Sequence, residues 1–337
     1  YGGNYTNNGV SQSGVYGGVF FNHSTLNVYD GIFENNYASR AGVFYNYRKM
    51  YLHKAVVTGN TATTSGGAIY LPSSSGAKLY IGGDVKTDNV QVVFKNNTAK
   101  DAGAVYSAGT LVVRNTLFES NTSTETAGAI YGSGSYNNIT VSDSEFTKNQ
   151  SGENGGAIYV TSKHATAEYE LNISNTVFNE NKSATNGGAV YISNPARAYV
   201  AYSSFSGNSA SSYGGAFYVY GAAAEFKNVT FTQNSAASGG ALYMEMKTVD
   251  ETEVPADVIM DKVTATGNTA SVKGGVAYLG KANILVYNST FKQNVADGGS
   301  AFCFYPSAQG AFYNCLIEAN VCPDDYTGNA GAFFLNT

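Results

Sequence analysis

Tryptophan is absent from this 337-residue chain, proline occurs five times, cysteine and histidine three times each, and charged residues make up only 13%. The net charge is −5 with no basic run, which argues against nucleic acid or an anionic membrane as a partner. No apolar run approaches the ~18 residues that would carry a helix across a bilayer. The histidines His23, His53 and His164 are scattered, and neither zinc spacing nor the Asp-rich glycine nonapeptide that binds calcium in other β-rolls is present, so no metal and no cofactor is expected. The cysteines Cys303, Cys315 and Cys322 lie together near the C-terminus. A Cys315–Cys322 disulfide would leave an odd third thiol, and the cysteines read equally as small buried hydrophobes.

What is plentiful is glycine (39), tyrosine (27) and, at 43%, apolar residues, too many for a disordered chain. They fall into two recurring words. The first is two small residues, a third small one, an apolar one and an aromatic: GGAIY at 66–70 and 155–159, GGAVY at 187–191, GGAFY at 214–218, GGALY at 239–243. Looser copies are GGVFF (17–21), AGVFY (41–45), AGAVY (102–106), AGAIY (127–131), GGVAY (274–278), GGSAF (298–302) and AGAFF (330–334). The second is Phe-x-x-Asn, at 33–36, 94–97, 118–121, 146–149, 178–181, 205–208, 231–234 and 291–294, with degenerate copies at 5–8, 57–60, 265–268 and 317–320. The period is most often about 25 residues, the mark of stacked supersecondary units.

The unit is not helical. LNIS (171–174), ITVS (139–142) and AEFKNVTF (224–231) alternate apolar and polar residues with period 2, and Asn, Asp, Ser and Gly punctuate them. A turn former often stands three residues before the Phe: Asp30, Asn115, Asp143, Asn175, Asn228, Asn288, Asn314. Each unit reads as about three short strands with corners between. The expected fold is all-β: a right-handed parallel β-helix of about 12 coils, a single repeat domain over 1–337. The chain opens in mid-pattern at Tyr1 and is expected to be a piece of a longer protein.

In a coil stack, equivalent residues lie directly above one another. The glycines belong where the chain turns into a strand and a side chain would clash. The apolar fourth position of the word (Phe44, Ile69, Val105, Ile130, Ile158, Val190, Phe217, Leu242) and the residue two further on (Leu71, Val160, Ile192, Val219, Met244, Leu279, Leu335) should face inward. The motif Phe should join them as an aromatic stack. The motif Asn residues should form a hydrogen-bonded ladder at a corner. That leaves Tyr45, Tyr70, Tyr106, Tyr131, Tyr159, Tyr191, Tyr218, Tyr243 and Tyr278 as an outward column, serving either ring stacking or contact with another molecule; the inverse, with the tyrosines inside, stays open.

Length varies between this aromatic and the next motif Phe, from 12 residues (Tyr106 to Phe118) to 24 (Tyr70 to Phe94). The largest insertions are 71–91 and the locally acidic 244–258, expected on one side of the rod. Among the Asn-x-Ser/Thr sequons, Asn121, Asn149 and Asn181 belong to the ladder, whereas Asn4, Asn22, Asn138, Asn172, Asn228 and Asn288 are the better candidates for glycosylation. No catalytic residues can be assigned. The pair Asp324-Asp325 has no basic partner nearby in sequence, and no glycine–histidine–glycine or arginine–isoleucine–lysine word of the polygalacturonase kind is present.

The pairing of GGA-[I/L/V] with Phe-x-x-Asn resembles the chlamydial polymorphic outer membrane protein repeat over almost the whole chain. The resemblance implies a right-handed β-helix, secretion to the cell surface and a role in adhesion; the C-terminal membrane barrel of chlamydial members is not found in these residues. The leading expectation is a non-enzymatic extracellular surface protein whose partners are a host or neighbouring-cell surface or its glycans. The alternative is a subunit of a filament, appendage or coat that partners copies of itself through its ends and the Tyr column. A polysaccharide lyase or hydrolase is the weakest expectation.

Overall fold

A computed structural model describes residues 2–9, 14–82, 92–134, 138–161, 170–193, 197–249, 252–254, 256–323 and 331–335. They form a parallel β-solenoid with no helix among the described residues. Each coil contributes one strand to each of up to four stacked parallel sheets, which hold 12, 12, 11 and 10 strands. One coil runs Ile158–Thr161, Glu170–Ser174, Val177–Asn179, Lys182–Ser183, and re-enters the first sheet at Val190–Ser193. We call these the Tyr sheet, the wide sheet, the Phe sheet and the short sheet. The sequence reading expected three strands per coil; the fourth is often only two residues long, too short to show a period, and follows the ladder Asn directly. Eleven steps of about 4.8 Å give a stack of roughly 53 Å.

Register is carried by the two words. Ile158 pairs with Val190 and Tyr159 with Tyr191, while Phe146 pairs with Phe178 and Phe178 with Phe205. The eight inward positions of the Tyr sheet named above are all fully buried. So are Leu71, Ile192, Val219, Met244 and Leu279, with Val160 nearly so; Leu335 is exposed on the last strand. Phe94, Phe118, Phe146, Phe178, Phe205 and Phe231 form the expected inner stack, with ring centroids 4.6–5.1 Å apart. Ala265 interrupts that column, and Phe217 and Phe226 pack edge-on against it near the gap.

The Asn ladder is continuous from Asn8 to Asn320 through Asn36, Asn60, Asn97, Asn121, Asn149, Asn181, Asn208, Asn234, Asn268 and Asn294. At Asn181 the Nδ2 group donates both to Asn208 Oδ1 of the next coil (3.0 Å) and to the Phe146 carbonyl of the coil before (2.8 Å), while Oδ1 accepts from the backbone N–H and Nδ2 of Asn149 (both 3.0 Å). A buried carboxamide with all these groups paired rigidifies the corner rather than weakening it. It also holds the residue before it in the left-handed region even where that residue is not glycine, as at Ser120, Lys148, Glu180 and Gln233 (φ 54–57°).

The corner between the wide and Phe sheets is likewise one left-handed residue. Asn115, Asp143, Asn175, Asn228, Asn288 and Asn314 fill it as expected, and Asp30 does not; Tyr202 and Lys262 fill it without being turn formers. The next-to-last copy of the glycine word is shifted by one from the expected GGSAF. Phe302 pairs with Ala277 and Cys303 with Tyr278, so the word is Gly299–Cys303 and a thiol stands in the Tyr column.

Candidate interaction surfaces

The tyrosines of the glycine words alternate with inward residues and so lie on the outer side of the Tyr sheet. From Tyr45 to Tyr278 the nine rings form one column, neighbouring centroids 4.6–5.2 Å apart and planes within 21° of parallel. Tyr16 stacks on Tyr45 and Tyr213 on Tyr243, at 4.9 and 4.4 Å. Arg40 lies over Tyr16 and Tyr70, and Lys273 over Tyr305 and Phe334. Within the column each ring is covered by a neighbour on both faces, so what it offers an incoming molecule is ring edges and hydroxyls rather than π faces. The Tyr218 hydroxyl donates to Glu245 Oε2 at 3.1 Å.

Burial raises the column's phenols above their ordinary value. It pushes Tyr70 up to about 12, with the neighbouring Tyr106 phenol adding to the effect. Tyr191 rises through burial first and then the Tyr159 phenol, and Tyr218 through burial and then the Glu245 carboxylate. A raised phenol pKa means that the folded chain holds its proton more tightly than the unfolded one. The stability this contributes is present below the ordinary phenol value of ~10 and is lost as pH rises through the folded value. An ultraviolet titration should therefore show the column silent near pH 10 and ionising towards pH 12 together with loss of β circular dichroism. Independent ionisation at pH 10 with the fold intact would contradict the stacked column.

The length variation falls on two corners, not one. Counting from Tyr to Phe adds them together. In the first long example, Lys78–Ile81 is a regular strand of the wide sheet, which splits the expected 71–91 loop; residues 83–91 lie outside the described ones. In the second, Lys247–Val249 and Thr252–Val254 pair antiparallel, a hairpin between the Tyr and wide sheets.

The other expected sites separate. Asn4, Asn138 and Asn288 are exposed and Asn172 and Asn228 half-buried. Asn22, by contrast, is buried, its Nδ2 donating to Asn46 Oδ1 and to the Lys49 carbonyl, so it is no glycan acceptor in the folded chain. Asn121, Asn149 and Asn181 are buried in the ladder. The Cys315–Cys322 bridge is not formed: Cys315 packs against the core with its Sγ 3.3 Å from the Tyr313 carbonyl, while the Cys322 Sγ lies 3.8 Å from the Gly331 carbonyl. Cys303 is fully buried, and burial raises its thiol to about 11. His23 stacks on Tyr47 at 4.6 Å and His53 on Tyr29 at 4.6 Å, at different corners of the coil. His164, Asp324 and Asp325 lie outside the described residues. Among the described residues no group of His, Cys, Asp and Glu is arranged to hold a metal ion, and no helix is long and apolar enough to cross a membrane.

One surface was not found in the sequence. The outer face of the wide sheet carries three rows of side chains running along the rod. Towards its C-terminal end Asp257, Asn283 and Gln309 form one row and Ile259, Leu285 and Ala311 the next, lining a trough of about 280 Å³. Asn283 Nδ2 donates to Asp257 Oδ1 at 2.8 Å. Its signal in the sequence was only the alternation of the strands, because the rows join residues about 26 apart.

Fold and surface together define a parallel β-solenoid with an amide-laddered interior and variable outer rows. Five stretches, residues 54–72, 143–161, 175–193, 202–220 and 228–245, match the Chlamydia polymorphic membrane protein repeat. Each runs from the corner before the Phe sheet, through the ladder, to the end of the Tyr strand, the part of the coil that holds the scaffold. No curated protein and no solved structure is a significant match.

Proposed function

We propose that this chain is the rigid, non-enzymatic rod of an extracellular surface protein that works by adhesion to a host or neighbouring cell, through its glycans or proteins. The observation that carries this reading is the division within each coil. The inward positions repeat, whereas a single outward row of the Phe sheet reads Glu34, Thr58, Lys95, Glu119, Thr147, Asn179 over six coils. A scaffold that holds its interior fixed while varying its outer rows suits display of a binding surface. The membrane-protein family of the repeat supports a place at the cell surface.

The test is attachment. Beads coated with the purified chain should bind cultured cells saturably, and replacing residues 246–255 by a short linker should reduce binding several-fold. Beads that bind no cell type and no arrayed glycan above an albumin control would sink the reading. The alternative, a subunit of a filament or coat, predicts long regular fibres in negative-stain electron micrographs.

A further inference from the structure

The Tyr column keeps its phenols where stacking alone does not require them. In nine successive coils, from Tyr45 to Tyr278, the outward ring of the glycine word is tyrosine. The inner column stacks at the same spacing with phenylalanine. Tyr191, Tyr218 and Tyr243 are buried, so their hydroxyls are kept at a desolvation cost that a phenyl ring avoids. What a phenol adds to a stack is a readily removed electron, provided that its proton has somewhere to go. The column meets that condition unevenly along its length. Near its start the Arg40 guanidinium lies 5.2 Å from the Tyr16 ring centre and 5.4 Å from that of Tyr70, where a positive charge opposes loss of an electron. Six coils beyond Tyr45, the Tyr218 hydroxyl donates to Glu245 Oε2 at 3.1 Å, within reach for proton transfer. Among the described residues no other phenol of the column reaches a carboxylate. The stack is open to reagents at Tyr16 and Tyr47, half-buried against Tyr45, and at Tyr213, 39% exposed and 4.4 Å from Tyr243.

We propose that the Tyr column conducts one-electron oxidation along the rod and holds it at Tyr218. This goes beyond the adhesive role above and does not depend on it. A strong one-electron oxidant, of the class that peroxidases and photoexcited metal complexes generate, takes an electron from a ring near Tyr45. Each ring is refilled by the next, so the electron deficit moves along stacked faces 4.6–5.0 Å apart. Six coils at about 4.8 Å make the path roughly 29 Å long. At Tyr218 the electron leaves the ring and the phenol proton crosses to Glu245 Oε2. The products are a neutral phenoxyl radical and a neutral carboxylic acid, which now donates the hydrogen bond. The pair loses one negative charge, which is the electron that the oxidant took. An external one-electron donor restores Tyr218, and Glu245 returns the proton. The direction is set by charge: the deficit leaves the neighbourhood of a cation and ends beside a base.

The test fixes the oxidant at one end of the column. A photo-oxidising ruthenium–bipyridyl group is bonded to His23, which stacks on Tyr47 at 4.6 Å, in a chain whose His53 and His164 are replaced by glutamine. After a flash, transient absorption and electron paramagnetic resonance should show a long-lived tyrosyl radical. Glu245→Gln leaves no base for the proton and should shorten the radical's lifetime by more than about tenfold. Tyr218→Phe should do the same. Tyr131 lies three coils from Tyr45 and three from Tyr218, so Tyr131→Phe keeps a ring in the stack but removes the electron donor at its midpoint. That variant should lose the long-lived signal although it touches neither the label nor Glu245. Oxidised instead by the free complex in solution, which reaches Tyr213 beyond the break, it should give the signal again. Circular dichroism should match wild type in every variant. No long-lived radical in the labelled wild type, an unchanged lifetime in Glu245→Gln, or an unchanged yield in labelled Tyr131→Phe would each overturn the proposal. Cell-binding beads can succeed or fail without altering any of these results.

Discussion

Asn181→Ala is expected to destabilise the rod by about 3–6 kcal/mol, a large part of the ~5–15 kcal/mol that holds a typical domain. The substitution removes four hydrogen bonds at once. It leaves the backbone N–H and one Nδ2 proton of Asn149 facing a void, and takes a donor from the Phe146 carbonyl, all in a fully buried corner. Asn181→Asp keeps the shape but not the donors, setting a carboxyl oxygen against Asn208 Oδ1 and the Phe146 carbonyl. It should be no better than alanine at neutral pH. Urea denaturation gives the magnitude, and limited proteolysis should show cleavage starting in the coils on either side of residue 181. A loss below about 1 kcal/mol would mean that the ladder follows from the coil rather than holding it.

Gly188→Ala is the second large expected loss, above about 3 kcal/mol or failure to fold. A Cβ there would sit 2.0 Å from the Gly215 carbonyl oxygen and within 2.7 Å of the Ser209 backbone. These are backbone atoms of the next coil, so relief requires widening the spacing between coils along every sheet. Gly187→Ala is the control. Its φ is +64°, but Ala41, Ala102 and Ala127 occupy the same place in other coils at φ 57–60°, so a cost of about 1–2 kcal/mol is expected. The difference between adjacent glycines separates steric exclusion by the neighbouring coil from strain within the coil's own turn, where a Cβ on Gly187 meets the Val190 carbonyl. Equal effects of the two substitutions would refute the distinction.

Both predictions rest on features that were readable in the sequence. A coil stack gives the same environment to the same position about every 25 residues, so each inward requirement is written out many times. The motif Phe, the ladder Asn, the paired small residues and the inward apolar positions are legible for that reason. The places where the reading slipped are those where repetition stops. The short strand has too few residues to show alternation. The next-to-last glycine word has a thiol where its neighbours have an aromatic, and the pattern alone chose the wrong register by one. Asn22 stands outside the ladder in sequence yet is buried by Asn46 one coil away. Cys315 and Cys322 are near in sequence, but Cys315 turns towards the core while Cys322 faces the Gly331 carbonyl.

The sequence by itself determined that this chain is a stack of parallel coils, which residues point into it, and which corner is laddered by amides. Those are local requirements, each satisfied by a residue and its counterparts one period away. Only the tertiary structure decided what the outside presents. Lys49 with Lys78, Asp257 with Asn283 and Tyr51 with Tyr80 become neighbours because the coil lengths between them bring the wide-sheet strands into register. Those lengths vary at two corners that the sequence does not separate.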